Sequence, residues 1–350
     1  MNLKPLNING ITARLPIFQG GMGVGVSLSR LAGAVAAQGG VGVISAAHPG
    51  YNMDGFSANP LEVNKKALAY HIGAAKDQSR GGLVGVNLMC AMRDYAHYVK
   101  CCVKAKADLL ISGAGLPSNL PELVDGSEMR IAPIVSSAKA ATVLLKLWDR
   151  KYSRTADMVV IEGPKAGGHL GFSPEELAAE ESYDTAVTDI IAVVAEYESK
   201  YDRHIPVVFG GGIEDSTDVK HYMGLGCAGV QVATQFVATE ECDAHENFKL
   251  AYVNAKKEDV VIVKSPVGMP GRAINNAFIK GVAARGLTAI DKCCACIISC
   301  NPKSTPYCIT QALINSVSGD VDNGLIFCGD GVDKIDRIST VKEVIGKLIW

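Results

Sequence analysis

Long basic runs are missing from this 350-residue chain, whose 34 Lys and Arg face 36 Asp and Glu for a net charge of −2. Nucleic-acid binding needs a concentrated basic face, so no nucleic-acid partner is expected. An uninterrupted apolar span is missing as well. The most apolar stretch, 23–47, is broken by Arg30, Gln38 and several glycines, whereas a membrane helix needs roughly 20 predominantly apolar residues. The opening Met1-Asn-Leu-Lys-Pro-Leu-Asn-Ile8 lacks the apolar core of a secretory signal. No membrane association and a cytoplasmic location are therefore expected. No Gly-x-Gly-x-x-Gly follows an apolar run, and Gly-x4-Gly-Lys-Ser/Thr does not occur, which counts against a dinucleotide-binding open sheet and a P-loop.

Present instead are short runs rich in Val and Ile, alternating with amphipathic segments. Eight strands are expected: 15–18, 41–45, 83–89, 109–112, 131–136, 158–162, 206–209 and 229–233. Their continuous apolarity suits strands buried on both faces of a parallel sheet. Helical periodicity is read at Leu28, Leu31, Ala32 and Val35, and again at Val187, Ile190, Ile191 and Val194. Ser173-Pro-Glu-Glu176 reads as a capping box, and Asp215 or Ser216 as a helix start. Eight β-α units in about 240 residues imply an α/β fold, a (β/α)8 or TIM barrel. The expected organisation is a barrel over 1–236, a lid lobe over 237–290 and a Cys-rich segment over 291–350. Within the lid, a helix over 241–257 and a strand over 260–264 are expected. A short helix from near Thr340 to Trp350 closes the chain.

Barrel active sites form at the carboxyl ends of the strands. Gln19-Gly-Gly-Met-Gly23 follows the first strand, and Gly21 lets backbone approach a flat ligand. Gly210-Gly-Gly212 follows the seventh and Ala233-Thr234 the eighth; glycine-rich turns opening onto helix starts suit a phosphate-bearing ligand. Asn87 and Ser136 end the third and fifth strands, where a polar side chain needs a partner. Glu162 ends the sixth, and the loop after it carries Gly167, Gly168 and His169. With an ordinary pKa near 6.5, His169 suits a general base or an oxyanion partner. His48, after the second strand, has less support.

These residues resemble a known family. Pro16-Ile-Phe-Gln-Gly-Gly-Met22, Gly85-Val-Asn87, Glu162-Gly-x-x-Ala-Gly-Gly-His169, Gly211-Gly-Ile213 and Val230-Gln-Val-Ala-Thr-x-Phe236 are similar to the nitronate monooxygenase (2-nitropropane dioxygenase) superfamily, over roughly 10–285. That superfamily also holds flavin-dependent enoyl-acyl-carrier-protein reductases. The resemblance implies FMN, with Met22 and Asn87 near the isoalloxazine and ribityl chain, Glu162 and Gly168 beside the cofactor, and Gly211, Gly212, Ala233 and Thr234 holding the phosphate through backbone donors. It further implies a small-molecule substrate, nitronate or enoyl thioester, with NAD(P)H as reductant in the second case. His169 would be the catalytic residue. Ala233 departs from the Gly usual in the family, and Lys165 adds a positive charge that favours an anionic substrate. A non-catalytic flavin-binding module is the alternative of another class, and a homodimer is compatible with all of these readings.

Six of the eleven cysteines fall between Cys293 and Cys328. Without a secretory signal a disulfide framework is not expected. Cys293-x2-Cys296-x3-Cys300-x7-Cys308 suits a [4Fe–4S] cluster or zinc; the bland alternative is buried thiols used as small apolar side chains. A cluster would favour an anaerobic reductase over an oxygen-using enzyme.

Overall fold

The structure is a computed structural model that describes residues 3–179, 182–285, 290 and 293–350. Strands β1 (Ile17–Gln19), β2 (Val41–Ser45), β3 (Leu83–Met89), β4 (Leu109–Gly113), β5 (Arg130–Val135), β6 (Val159–Glu162), β7 (Val207–Gly210) and β8 (Gly229–Val232) form a closed parallel barrel. It closes where Val230 of β8 pairs with Ile17 of β1. The expected (β/α)8 fold is the observed one, with β2 and β3 at the expected bounds and the others within two residues of them.

Period-2 alternation decides what each strand residue does. Val84, Val86 and Leu88 of β3, and Val159 and Ile161 of β6, point outward into a layer shared with helix residues such as Leu31, Leu68 and Trp148. Phe18, Val43, Ile111, Val160 and Val208 point inward and fill the barrel. A hairpin not anticipated from the sequence, Leu6–Ile8 with Ile11–Ala13, plugs the amino-terminal end of the barrel with Leu6, Ile8 and Ala13. Ile8 is wholly buried, worth about 1.5–3 kcal/mol. With that end closed, the other end is left for a site.

The capping box at Ser173 forms as expected, and of the two expected helix starts Asp215 is the cap, with a capping box of its own. The lid helix is shorter than expected, Glu246–Val253, because the residues before it serve another helix. Asp243 accepts the N–H groups of Leu28 (2.8 Å), Leu31 (3.2 Å) and Arg30 (3.2 Å). Helix Ser29–Ala37 begins at Leu28, which has no capping side chain, so Asp243 caps it from a distant part of the chain.

Over the carboxyl end lies an antiparallel sheet of Val260–Lys264, Pro270–Ile274 and Gly168–His169. Segments expected as separate lid and tail share one core there, with Val237, Phe248 and Tyr252 packed against Val317, Ile326 and Cys328. The expected boundary near 290–291 adjoins residues outside those described. Helix Val341–Ile349, capped by Thr340, packs Val341, Val344, Ile345 and Leu348 into the outer layer of the barrel. No helix among the described residues is long and apolar enough to cross a membrane.

Candidate active site

The carboxyl ends of the strands and the covering sheet enclose a cavity of about 280 Å3. A single buried water needs only about 10–15 Å3 by the same measure, so this is room for a ligand. Its floor is set by strand parity. Asn87 shares the inward phase of Gly85, Glu162 that of Val160, and Gln231 that of Gly229, and all three reach the cavity. Gln231 was not singled out from the sequence, although its parity within β8 was readable. Its Oε1 is buried with no hydrogen-bond partner among the described residues, an orphan that a ligand donor would satisfy.

Ten of the eleven residues expected at a cofactor or catalytic site line this cavity: Gly21, Met22, Asn87, Glu162, Gly168, His169, Gly211, Gly212, Ala233 and Thr234. Ser136 does not. Its hydroxyl donates to the carbonyl of Gly171 (3.0 Å), and its own carbonyl accepts from Tyr183 Oη. Ser136 thus braces the loop behind Glu162 rather than meeting a ligand, because Gly171 follows β6 closely enough to take the hydroxyl first.

Glu162 Oε2 accepts the Gly171 N–H at 2.8 Å. The carboxyl lines the cavity, and burial outweighs that hydrogen bond to push its pKa up to about 7. Near neutrality it is therefore partly protonated and able to donate.

His169 departs from the expectation of an ordinary imidazole. Burial holds its pKa down to about 4, so it is neutral in the physiological range. Its Nε2 lies 2.7 Å from Ser265 Oγ, and its ring packs edge-on against Phe327 at 4.9 Å. Ser265 Oγ already accepts the Val267 amide, so its own proton is free to go to Nε2. With the serine proton on that hydrogen bond, the ring proton of the neutral His169 is on Nδ1. A neutral ring of depressed basicity serves better as a hydrogen-bond donor than as a base. Ser265 and Phe327 come from parts of the chain far from His169, and no local signal marked them.

The loop after β7 departs from the expected helix-start anion site. Helix Ser216–Gly224 does not offer its N-terminus to the cavity, because Asp215 caps Thr217 N–H and Asp218 takes the N–H groups of Glu214 and Asp215. Among the described residues, no acceptor takes the backbone N–H of Gly211 or Gly212. Both have positive φ, 120° and 77°, the conformation that aims successive amides into one concavity. A Cβ on Gly212 would come within 3.0 Å of Lys165, whose side chain brings a positive charge to the same cavity. Ala233 has φ −120°, so its methyl is accommodated without strain. Thr234 Oγ1 accepts Gly329 N–H at 2.9 Å, tying the distal segment 327–331 to the cavity wall. These donors, with Asn87, Glu162 and Gln231 on the floor, fit FMN: a phosphate for the loop and ring heteroatoms for the amides and acid.

The loop bearing His169 is held by Arg272, a buried residue whose NH1 donates to the carbonyls of Pro164 (2.9 Å) and Ala166 (2.5 Å). Arg272→Met should cost about 1.5–3 kcal/mol for each charge-assisted bond lost. Urea unfolding, with KM as a second readout, checks this; unchanged values of both would remove Arg272 as the holder of the loop.

Of the four cysteines expected to bind metal, Cys296 lines the cavity, whereas Cys293, Cys300 and Cys308 are not among its lining residues. The metal-competent group whose ligating atoms lie within 4.8 Å of one another is a different one, His48, Cys294 and Cys296. His48 is buried and also lines the cavity.

The description of a family, nitronate monooxygenase, matches residues 4–350. A probable nitronate monooxygenase of Staphylococcus saprophyticus is 35% identical over 124 residues, 35% of this chain and 33% of that protein. One of Staphylococcus aureus (strain Newman) is 35% identical over 126 residues, again 35% of this chain and 33% of that protein. These alignments span about a third of the curated relatives' length. Among solved structures, FabK from Thermotoga maritima superposes with a TM-score of 0.72 at 26% identity, over 95% of this chain and 91% of that one. Nitroalkane oxidase from Streptomyces ansochromogenes shares the fold with a TM-score of 0.72 at 19% identity, over 95% and 94%. Matched along nearly its whole length, the chain belongs to the nitronate monooxygenase family, whose members are flavin-dependent oxidoreductases.

Proposed function

We propose that the protein is an FMN-dependent nitronate monooxygenase that oxidises alkyl nitronates. The observation that carries this reading is a neutral, buried His169 facing the same cavity as the unpartnered amides of Gly211 and Gly212. Gly211, Gly212, Ala233 and Thr234 would hold the FMN phosphate, and Asn87, Gln231 and Glu162 the polar atoms of the ring and ribityl chain. Bound FMN supplies the electron acceptor and the subsequent reaction with dioxygen. His169 Nδ1–H donates to a nitronate oxygen and orients it. Its weak basicity favours the pre-ionised nitronate over a neutral nitroalkane that still needs its α-proton removed. Lys165 favours entry of the anion, and the covering sheet excludes water.

Anaerobic mixing tests the assignment. Ethylnitronate or propionate-3-nitronate should bleach the flavin absorbance while NAD(P)H leaves it unchanged. Bleaching by NAD(P)H alone would replace this reading with the second one, an enoyl-thioester reductase. That second reading rests on the motif resemblance, since the same superfamily also holds flavin-dependent enoyl-acyl-carrier-protein reductases.

The electrostatics of the site also set a pH dependence. Glu162 is neutral below about pH 7 and anionic above it, and an anion there repels a nitronate. KM for ethylnitronate should therefore rise several-fold, roughly tenfold per 1.4 kcal/mol of repulsion, as the pH passes upward through that value. Glu162→Gln should flatten the profile. Since His169 stays neutral down to about pH 4, kcat should show no acid limb near 6.5, the ordinary imidazole value. A limb at that pH would return His169 to the role of base.

A further inference from the structure

The cysteine-rich segment is pinned to the barrel mouth. Ile297 bridges to Met92 in the loop after β3, Arg93 N–H donates to the Cys296 carbonyl (3.0 Å), and Arg93 Nε donates to the Ala295 carbonyl (3.0 Å). Ile298 N–H returns to the Ala91 carbonyl at 2.9 Å. Nothing in the flavin reading uses this attachment, yet it delivers Cys296 to the cavity wall.

Two features place N–H groups beside the sulfurs. Ala295, with φ +50°, makes a tight turn inside Cys293-x2-Cys296, and its N–H donates to Cys293 Sγ at 3.3 Å. Cys308 occupies the N-cap of helix Ile309–Val317, so its sulfur lies beside the first-turn amides of Gln311 and Thr310 without a side-chain capping hydrogen bond. Cys300 and Cys308 each lie within electrostatic reach of Cys293, of Cys296 and of one another. Four thiolates so placed repel, which a bound cationic group relieves. No disulfide links any of them.

A single zinc ion would be expected at the tighter group, His48, Cys294 and Cys296. The network behind His48 opposes that. Asn64 Oδ1 accepts Gly50 N–H (3.0 Å), which fixes the orientation of the amide. Asn64 Nδ2 then donates to His48 Nδ1 (3.1 Å) and to Tyr98 Oη (3.1 Å). With Nδ1 accepting, the imidazole proton sits on Nε2, which faces Thr310 Oγ1 (3.2 Å) and the Cys296 sulfur. A protonated nitrogen cannot ligate a metal; it can donate to a thiolate. What is left is an all-sulfur donor set, broader than one ion needs, with N–H donors on its sulfurs, as iron–sulfur sites have.

We propose that Cys293, Cys296, Cys300 and Cys308 bind a [4Fe–4S] cluster set into the cavity wall at Cys296, with His48 Nε2–H donating to that thiolate. Cys294 is not a ligand. Binding of the cluster stands independently of the proposed function; only its proximity to a flavin rests on that reading. A cluster here would also favour the reductase over the oxygen-using enzyme.

The test uses the full chain, made and purified without oxygen and, where iron is substoichiometric, reconstituted with ferrous iron and sulfide. The expected content is about four irons and four acid-labile sulfides per chain, with a paramagnetic signal after reduction by dithionite. Cys300→Ala and Cys308→Ala should lose most of the iron, whereas Cys294→Ser should keep it. Bound FMN and circular dichroism in the same samples report folding. Stoichiometric zinc without sulfide, iron below about one per chain after reconstitution, or full iron in both alanine variants would each overturn the proposal. Cluster without FMN would instead overturn the flavin reading, and FMN without cluster this one.

Discussion

Replacing His169 with alanine should lower kcat for ethylnitronate by about 10²–10³, the usual cost of removing one preorganised donor. FMN content should stay near that of the wild type. The residue's backbone place in the covering sheet is secured by pairing with Gly271, which the substitution does not touch. What is lost is the ring held by Ser265 and Phe327, and with it the N–H that the proposed function gives to the substrate. His169→Gln, which keeps an N–H donor, should recover part of the rate. Steady-state kinetics normalised to bound flavin decide the matter. A kcat within threefold of wild type, or a loss explained wholly by missing FMN, would show that His169 is not the donor.

The second large effect is expected on cofactor binding. Gly211→Val should weaken FMN binding by about 30–100-fold. A β-branched residue at φ +120° costs about 2–3 kcal/mol of backbone strain, and each 1.4 kcal/mol is tenfold in affinity. Its Cβ would also meet Ala166 N and the Gly163 carbonyl at 3.0 Å, displacing the amides offered to the phosphate. Titration of FMN into apo-protein, followed by flavin fluorescence, measures this. Ala233→Gly is the matched control: at φ −120° the methyl is unstrained, so the affinity should change by less than about threefold. Equal affinity of Gly211→Val and wild type would move the phosphate away from this loop.

Much of this architecture is written locally. The eight strands are legible because a strand buried on both faces must be apolar throughout, and β2 and β3 need no tertiary information to place. Strand parity carries further: it aims Asn87, Glu162 and Gln231 at the same end of the barrel, since a period of two fixes which face each side chain takes. The glycines at 211 and 212 likewise announce a tight turn, and the loop Gly167–His169 announces itself as an open one.

What the sequence could not fix depends on segments that meet only after folding. The neutral state of His169 comes from burial under a sheet and a phenylalanine 158 positions further on, so its ordinary pKa was the wrong guide. Ser136 has the right strand position yet is taken by Gly171, and the expected anion site at the helix after β7 is filled by Asp215 and Asp218. Asp243 shortens one helix by capping another. In each case a hydrogen bond or a desolvation cost between distant residues outranks the local preference. The chain by itself thus determined a barrel with a polar, glycine-rich mouth. Only tertiary packing decided which of those polar groups is free to meet a ligand, because that depends on which partners reach them first.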